Sequence, residues 1–143
     1  MQPDFNLPTM EQKRILVIDD DEDVLETIEL VLEIGNYEVS TLLSAEQIFE
    51  RIEEFGPELI ILDVVLGKMD GRVICEQLKM DEDTKDIPIL MMSGLRDYQY
   101  VMNEEHAPND FLPKPFDINV LLKKIKTLLK QVNEEPEEKF RLN

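Results

Sequence analysis

Leu59-Ile60-Ile61-Leu62-Asp63 decides the fold of this chain. Four aliphatic residues run without a break and stop at a carboxylate. A short unbroken run of this kind reads as a strand buried on both faces of a parallel sheet. Its last side chain then stands at the carboxyl end of the strand, where open α/β sheets bind ligands. Ile15-Leu16-Val17-Ile18 followed by Asp19-Asp20 has the same design. Two such strands joined through one helix bring three carboxylates to one crevice.

The rest of the chain alternates in the same way. Arg14 to Ile18 is the first strand, and one of Asp19, Asp20 and Asp21 should cap the next helix. That helix sets Val24, Leu25, Ile28, Val31 and Leu32 on one face and is stopped by Gly35. Tyr37 to Thr41 is a short strand. Ser44 and Gln47 form a capping box for a helix lined by Ala45, Ile48, Phe49 and Ile52. After Asp63 comes a loop from Val64 to Asp70, then a helix with Val73, Ile74 and Leu78 inward. Ile87 to Met92 is a fourth buried strand ending at Ser93-Gly94. Leu95 to Glu105 holds a weaker helix with Tyr98, Val101 and Met102 inward. Asp110 to Leu112 is a fifth strand, and Pro113-Lys114-Pro115 comes after it. Asp117 caps a last helix with Ile118, Leu121, Leu122, Ile125, Leu128, Leu129 and Val132 in register and a basic face of Lys123, Lys124, Lys126 and Lys130. Five β-α units imply an α/β fold, a doubly wound five-stranded parallel sheet with helices on both faces. The expected organisation is a flexible leader at 1–12, one domain at 13–132 and a charged tail at 133–143 broken by Pro136.

Composition narrows the function classes. A hydrophobic fraction of 43% over 143 residues supports one globular domain. Thirty-two acids against 15 bases leave a net charge of −17, which opposes direct binding to nucleic acid and suits a cation or a basic partner patch. No stretch has the composition of a signal peptide or a membrane span, and the one cysteine, Cys75, suits a reducing cytoplasm. Cys75 is expected buried and inert, and His106 an exposed loop residue.

Four strand ends converge: Asp19 and Asp20, Asp63, Ser93 and Lys114. Crowded carboxylates repel one another and call for a cation. Mg²⁺ favours a few carboxylates, water and a phosphoryl oxygen. Lys114 supplies fixed positive charge and Ser93 a hydroxyl donor, so a phosphoryl group can be held beside a carboxylate nucleophile. Taken singly, the acids at 19–21 also suit an ordinary helix N-terminus, Ser93 an ordinary turn and Lys114 an ordinary surface lysine. A calcium loop starting at Asp19 is excluded, because Val24 and Leu30 stand where it needs glycine and glutamate.

Ile18-Asp19-Asp20-Asp21, Leu62-Asp63, Asp70-Gly71, Met92-Ser93-Gly94 and Phe111-Leu112-Pro113-Lys114-Pro115-Phe116 together resemble the receiver domain of bacterial two-component response regulators. The resemblance covers about Lys13 to Gln131. It implies the flavodoxin-like strand order 2-1-3-4-5 and a phosphorylation-dependent signalling switch rather than an enzyme with small-molecule turnover. It makes Asp63 the phosphoacceptor and the partner a sensor histidine kinase or phosphotransfer protein, with a downstream protein target. Asp19, Asp20, Asp63 and the Val65 backbone carbonyl would hold Mg²⁺ or Mn²⁺. Ser93 and Lys114 would bind phosphoryl oxygens, and Phe111 would be the switch aromatic. Phosphorylation would remodel the surface of the fourth helix, fifth strand and last helix, a face that also serves some relatives in phosphorylation-linked homodimers. The Lys114-Pro115 bond is expected cis.

Three positions depart from the family pattern: Gly67 replaces a common proline, Gly94 a common alanine, and Phe111 lacks a tyrosine hydroxyl. Val65 and Leu95 take lifetime-tuning positions; both are apolar, so slow self-dephosphorylation is expected. No output segment comes after the last helix within these residues, and the expectation is a stand-alone or excised receiver. Two other functions are weighed. A haloacid-dehalogenase-like phosphohydrolase would use the Asp-x-Asp of Asp19 to Asp21 but leaves Asp63 without a role. A degenerate receiver acting only as a binding module would not need the complete set Asp19, Asp20, Asp63, Ser93 and Lys114.

Overall fold

The computed structural model describes residues 11–141, with the side chains of Leu95 and of 132–141 left undescribed. The expected leader at 1–12 lies almost wholly outside the described residues. In order the chain forms β1 (Arg14–Ile18), α1 (Glu22–Ile34), β2 (Glu38–Leu42), α2 (Ile48–Phe55) and β3 (Leu59–Asp63). Next come a two-residue pair, β4 (Val65–Leu66) and β5 (Met69–Asp70), then α3 (Gly71–Met80) and β6 (Ile89–Gly94). A 3-10 turn (Leu95–Asp97), α4 (Tyr98–Met102), β7 (Asp110–Lys114) and α5 (Ile118–Arg141) complete it.

The main sheet is parallel, in the order β2-β1-β3-β6-β7. Counting only its own strands, this is the expected 2-1-3-4-5. All five residues of β3 are buried, as an aliphatic run covered on both faces requires. The alternation of the strands divides the core in two. Leu16, Ile18, Ile60, Leu62, Ile89, Met91 and Phe111 pack with residues of α2, α3 and α4. Ile15, Val17, Leu59, Ile61, Leu90, Met92 and Leu112 pack with α1 and α5. Each fully buried aliphatic side chain contributes about 2 kcal/mol through removal from water.

Asp21 caps α1, accepting from the N–H groups of Asp23 and Val24. That leaves Asp19 and Asp20 free of capping duty. Gly35 ends α1 as expected, at φ −77°, and the left-handed residue is its neighbour Asn36 at φ 73°. Several expectations are corrected. Ser44 and Gln47 form no capping box: the Ser44 hydroxyl accepts from Glu46 N–H, and α2 starts only at Ile48. Phe49, Val73, Tyr98 and Ile118 face solvent although their spacing places them inward. The short α4 buries Val101 and leaves Met102 partly covered. Val64 to Asp70 is no plain loop, since Val65 and Leu66 pair antiparallel with Asp70 and Met69 around Gly67. The last helix runs past Pro136 to Arg141, in place of the broken tail. The Lys114-Pro115 bond is cis.

Candidate functional site

Asp19 comes directly after β1, Asp63 ends β3, and Met92 pairs with Asp63 so that Ser93 stands one residue beyond it on β6. Gly94 pairs with Lys114 at the end of β7. The parallel register therefore carries four chain segments to one edge of the sheet. Asp19 is wholly buried, Asp63 and Ser93 are 4% exposed, and Asp20 is open to solvent. Asp19, Asp20 and Asp63 each offer a carboxylate oxygen, and these lie within 4.8 Å of one another.

Lys114 Nζ sits between two of the acids, 2.9 Å from Asp19 Oδ2 and 2.7 Å from Asp63 Oδ2. The remaining oxygens are held by backbone. Asp63 Oδ1 accepts from Val65 N–H at 3.2 Å, and Asp19 Oδ1 accepts from Asp21 N–H at 2.9 Å. Asp20 Oδ2 accepts from Gly67 N–H at 2.9 Å. Burial pushes the Asp63 carboxyl up from 3.8 to about 6; Lys114 pulls against this, and the charge of Asp19 adds to it. Burial disfavours the Lys114 ammonium, but its bonds to Asp19 and Asp63 outweigh this and raise its pKa above the usual lysine value.

Three acids beside one ammonium leave excess negative charge in a crevice where Asp19 and Asp63 are buried and Asp20 is open to solvent. A hard divalent cation that takes carboxylate oxygens fits that donor set. The chemistry available is nucleophilic: a carboxylate with a raised pKa, next to a fixed cation and an open, acid-lined face.

Phe111 is buried, and its ring meets Tyr98 edge to face, with centroids 5.4 Å apart and planes at 83°. Val65 is exposed on β4. Leu95 opens the 3-10 turn after β6; its side chain lies outside the described residues. Ser93 does not point its proton at the acids. Its hydroxyl donates to Asp97 Oδ2, a partner that sequence inspection missed.

Two glycines also carry the site. A Cβ on Gly71 would lie 2.0 Å from the Asp63 carbonyl oxygen, so only glycine lets α3 begin against the end of β3. Gly67 takes φ +62° and supplies the N–H that holds Asp20. A proline has neither that φ nor that donor, so the loop as it stands here suits glycine. Beside them, Arg72 makes a forked ion pair with Asp70 and holds that carboxyl below its usual range. Among the described residues, no helix is long and apolar enough to cross a membrane.

A family model for the response regulator receiver domain matches residues 15–126. The DNA-binding dual master transcriptional regulator RpaA of Synechocystis is 34% identical over 125 residues, covering 87% of this chain and 52% of its own length. The alkaline phosphatase synthesis transcriptional regulatory protein PhoP of Bacillus subtilis is 32% identical, covering 83% and 49%. The chain thus spans about half the length of these relatives. A CheY-like response regulator receiver domain protein from Methanospirillum hungatei superposes with a TM-score of 0.77 at 27% identity, over 87% of this chain and 99% of that one. A two-component response regulator from Clostridium difficile gives 0.77 at 26%, over 85% and 99%. With the match running from the first buried strand into the last helix, and with this strand order beneath it, the chain belongs to the response regulator receiver domain family.

Proposed function

We propose that this chain is a phosphorylation-dependent switch of a two-component system in which Asp63 is the phosphoacceptor. The observation that carries the proposal is the ammonium of Lys114 bridging Asp63 and Asp19, with an oxygen of Asp20 within 4.8 Å of theirs. The donor is a phosphohistidine on a sensor kinase or phosphotransfer protein. An Asp63 carboxylate oxygen attacks phosphorus, the P–N bond breaks, and its electron pair returns to the imidazole nitrogen, which takes a proton from solvent. Lys114 and the Ser93 hydroxyl then donate to phosphoryl oxygens. Asp19, Asp20, Asp63 and the Val65 carbonyl are the proposed holders of Mg²⁺ or Mn²⁺. That ion, when bound, neutralises the acids and the transferring phosphoryl group.

The charge change at Asp63 is read out through Ser93 and Phe111, and so through α4, β7 and α5, to a protein target. The chain turns over no small molecule, and a cytoplasmic setting suits its kinase partner. A dehalogenase-like hydrolase loses support because Asp21, which that chemistry would need as acid/base, is engaged as the cap of α1.

The test is incubation with acetyl phosphate, with and without Mg²⁺, read by intact mass. Gain of one phosphoryl group that needs Mg²⁺ and disappears in Asp63→Ala is the expected result. Steady consumption of the donor without protein labelling overturns the proposal.

A further inference from the structure

Asp97 closes the 3-10 turn after β6 and occupies the residue before α4, yet its side chain makes no capping bond there. It reaches back four residues instead, and its Oδ2 accepts the hydroxyl of Ser93, a residue 4% exposed. An acid before a helix normally satisfies the helix's own free N–H groups. Here the carboxylate is turned to the strand end beside the acid cluster. Asp97 also lines an open cleft of about 510 Å³ with Val64, Val65, Lys68, Arg72 and Tyr100, between the β3–α3 segment and α4. Across that cleft the Arg72 guanidinium, bound to Asp70, also feels the charge of Asp97.

A serine hydroxyl has one proton to donate. While it is given to Asp97, it is withheld from any acceptor on Asp63. We propose that Asp97 is a positioning residue acting through Ser93: it holds the hydroxyl in the unphosphorylated protein and surrenders it to the phosphoryl group. This rests on the assignment of Asp63 as phosphoacceptor and Ser93 as phosphoryl ligand. Phosphorylation then exchanges one anionic acceptor for another at a single proton. Asp97, on the turn that leads into α4, is left facing the cleft that Lys68 and Arg72 line. The exchange therefore begins at the very segment that carries the signal outward. It also means the resting protein works against its own phosphorylation by the strength of one charge-assisted hydrogen bond.

The test is a double-mutant cycle on the full chain: Asp97→Ala, Ser93→Ala and both together, labelled with acetyl phosphate at saturating Mg²⁺ and timed by intact mass. Removing Asp97 frees the hydroxyl, and the labelling rate should rise about tenfold, the factor expected for one hydrogen bond to a charged acceptor. In the Ser93→Ala background the same substitution should change nothing. Asp97→Asn, which keeps an acceptor oxygen without its charge, should fall between, and serves if Asp97→Ala does not fold. An equal acceleration in both backgrounds would mean that only a through-space charge had been removed, and overturns the inference. So does an unchanged or slower rate for Asp97→Ala and Asp97→Asn beside a native chain that labels normally. A native chain that does not label at all overturns the phosphoacceptor assignment and this inference with it.

Discussion

The ammonium of Lys114 lies 2.7 Å from Oδ2 of Asp63, a contact that closes 51 residues of chain. The same nitrogen is bonded to Asp19, so it balances both buried acids of the cluster. Lys114→Met should leave them to compete for a divalent ion alone. Mg²⁺ affinity by calorimetry should rise, while labelling by acetyl phosphate should fall about a hundredfold, the usual cost of losing a preorganised donor to transferring charge. Weaker Mg²⁺ binding in the variant would contradict this account of the site.

The raised Asp63 carboxyl makes a prediction about pH. Between 3.8 and about 6 the folded chain keeps a proton there that the unfolded chain has lost. The native state then binds more protons, so this group's contribution is complete at low pH and is lost as pH rises through about 6. In metal-free protein, the stability of the native chain relative to Asp63→Asn should fall across that window, read from urea midpoints. Saturating Mg²⁺ should reverse the trend, because it binds the ionised acid. A metal-free difference that grows in favour of the native chain with rising pH would refute the prediction.

Two glycines should respond differently to alanine. At Gly71 the new methyl would meet the Asp63 carbonyl oxygen at 2.0 Å, so α3 must shift; a loss of about 3 kcal/mol or more is expected. At Gly67 there is open space but a positive φ, and the cost should be about 1 kcal/mol. Gly67→Pro, though nearer the family pattern, should cost more than Gly67→Ala, since it also removes the N–H that holds Asp20. Urea unfolding of the three variants gives the order directly.

The phosphoryl group on Asp63 should be long-lived. Val65, exposed on β4 two residues from Asp63, offers no group that orients an attacking water. A half-life of many minutes without any phosphatase is expected, and Val65→Asn should shorten it. Decay of the native phosphoprotein within seconds, tracked by intact mass, would rule this out.

The sheet and the acid cluster were legible because both stem from unbroken aliphatic runs. Residues 15–18 and 59–62 form the buried parallel strands expected of them, and the run read from Ile87 to Met92 does so from Ile89 onward; the residue after a buried strand in a parallel sheet lies at its carboxyl edge. Cys75 was legible too: it is buried as its helix position implies, and burial pushes its thiol up to about 11. Helix faces were less legible. Phe49 and Val73 carry the right spacing and still face water, because short helices on a twisted sheet bury only a narrow stripe. Ser44 and Gln47 match a capping pattern, but Ala45 turns back onto Ile48 and the helix starts late. The β4–β5 pair is too short to leave a periodic signal. The Ser93–Asp97 bond has no sequence signature at all: an acid four residues past a strand looks like any other acid entering a helix.

The bond from Lys114 to Asp19 spans 95 residues. During synthesis on a ribosome, β1 and β3 emerge long before β7, and with them come the acids that Lys114 will balance. Until β7 pairs with β6, Asp19 and Asp63 lack the ammonium that bridges them in the folded protein. The last strand to be made thus brings the charge that two acids made long before it share.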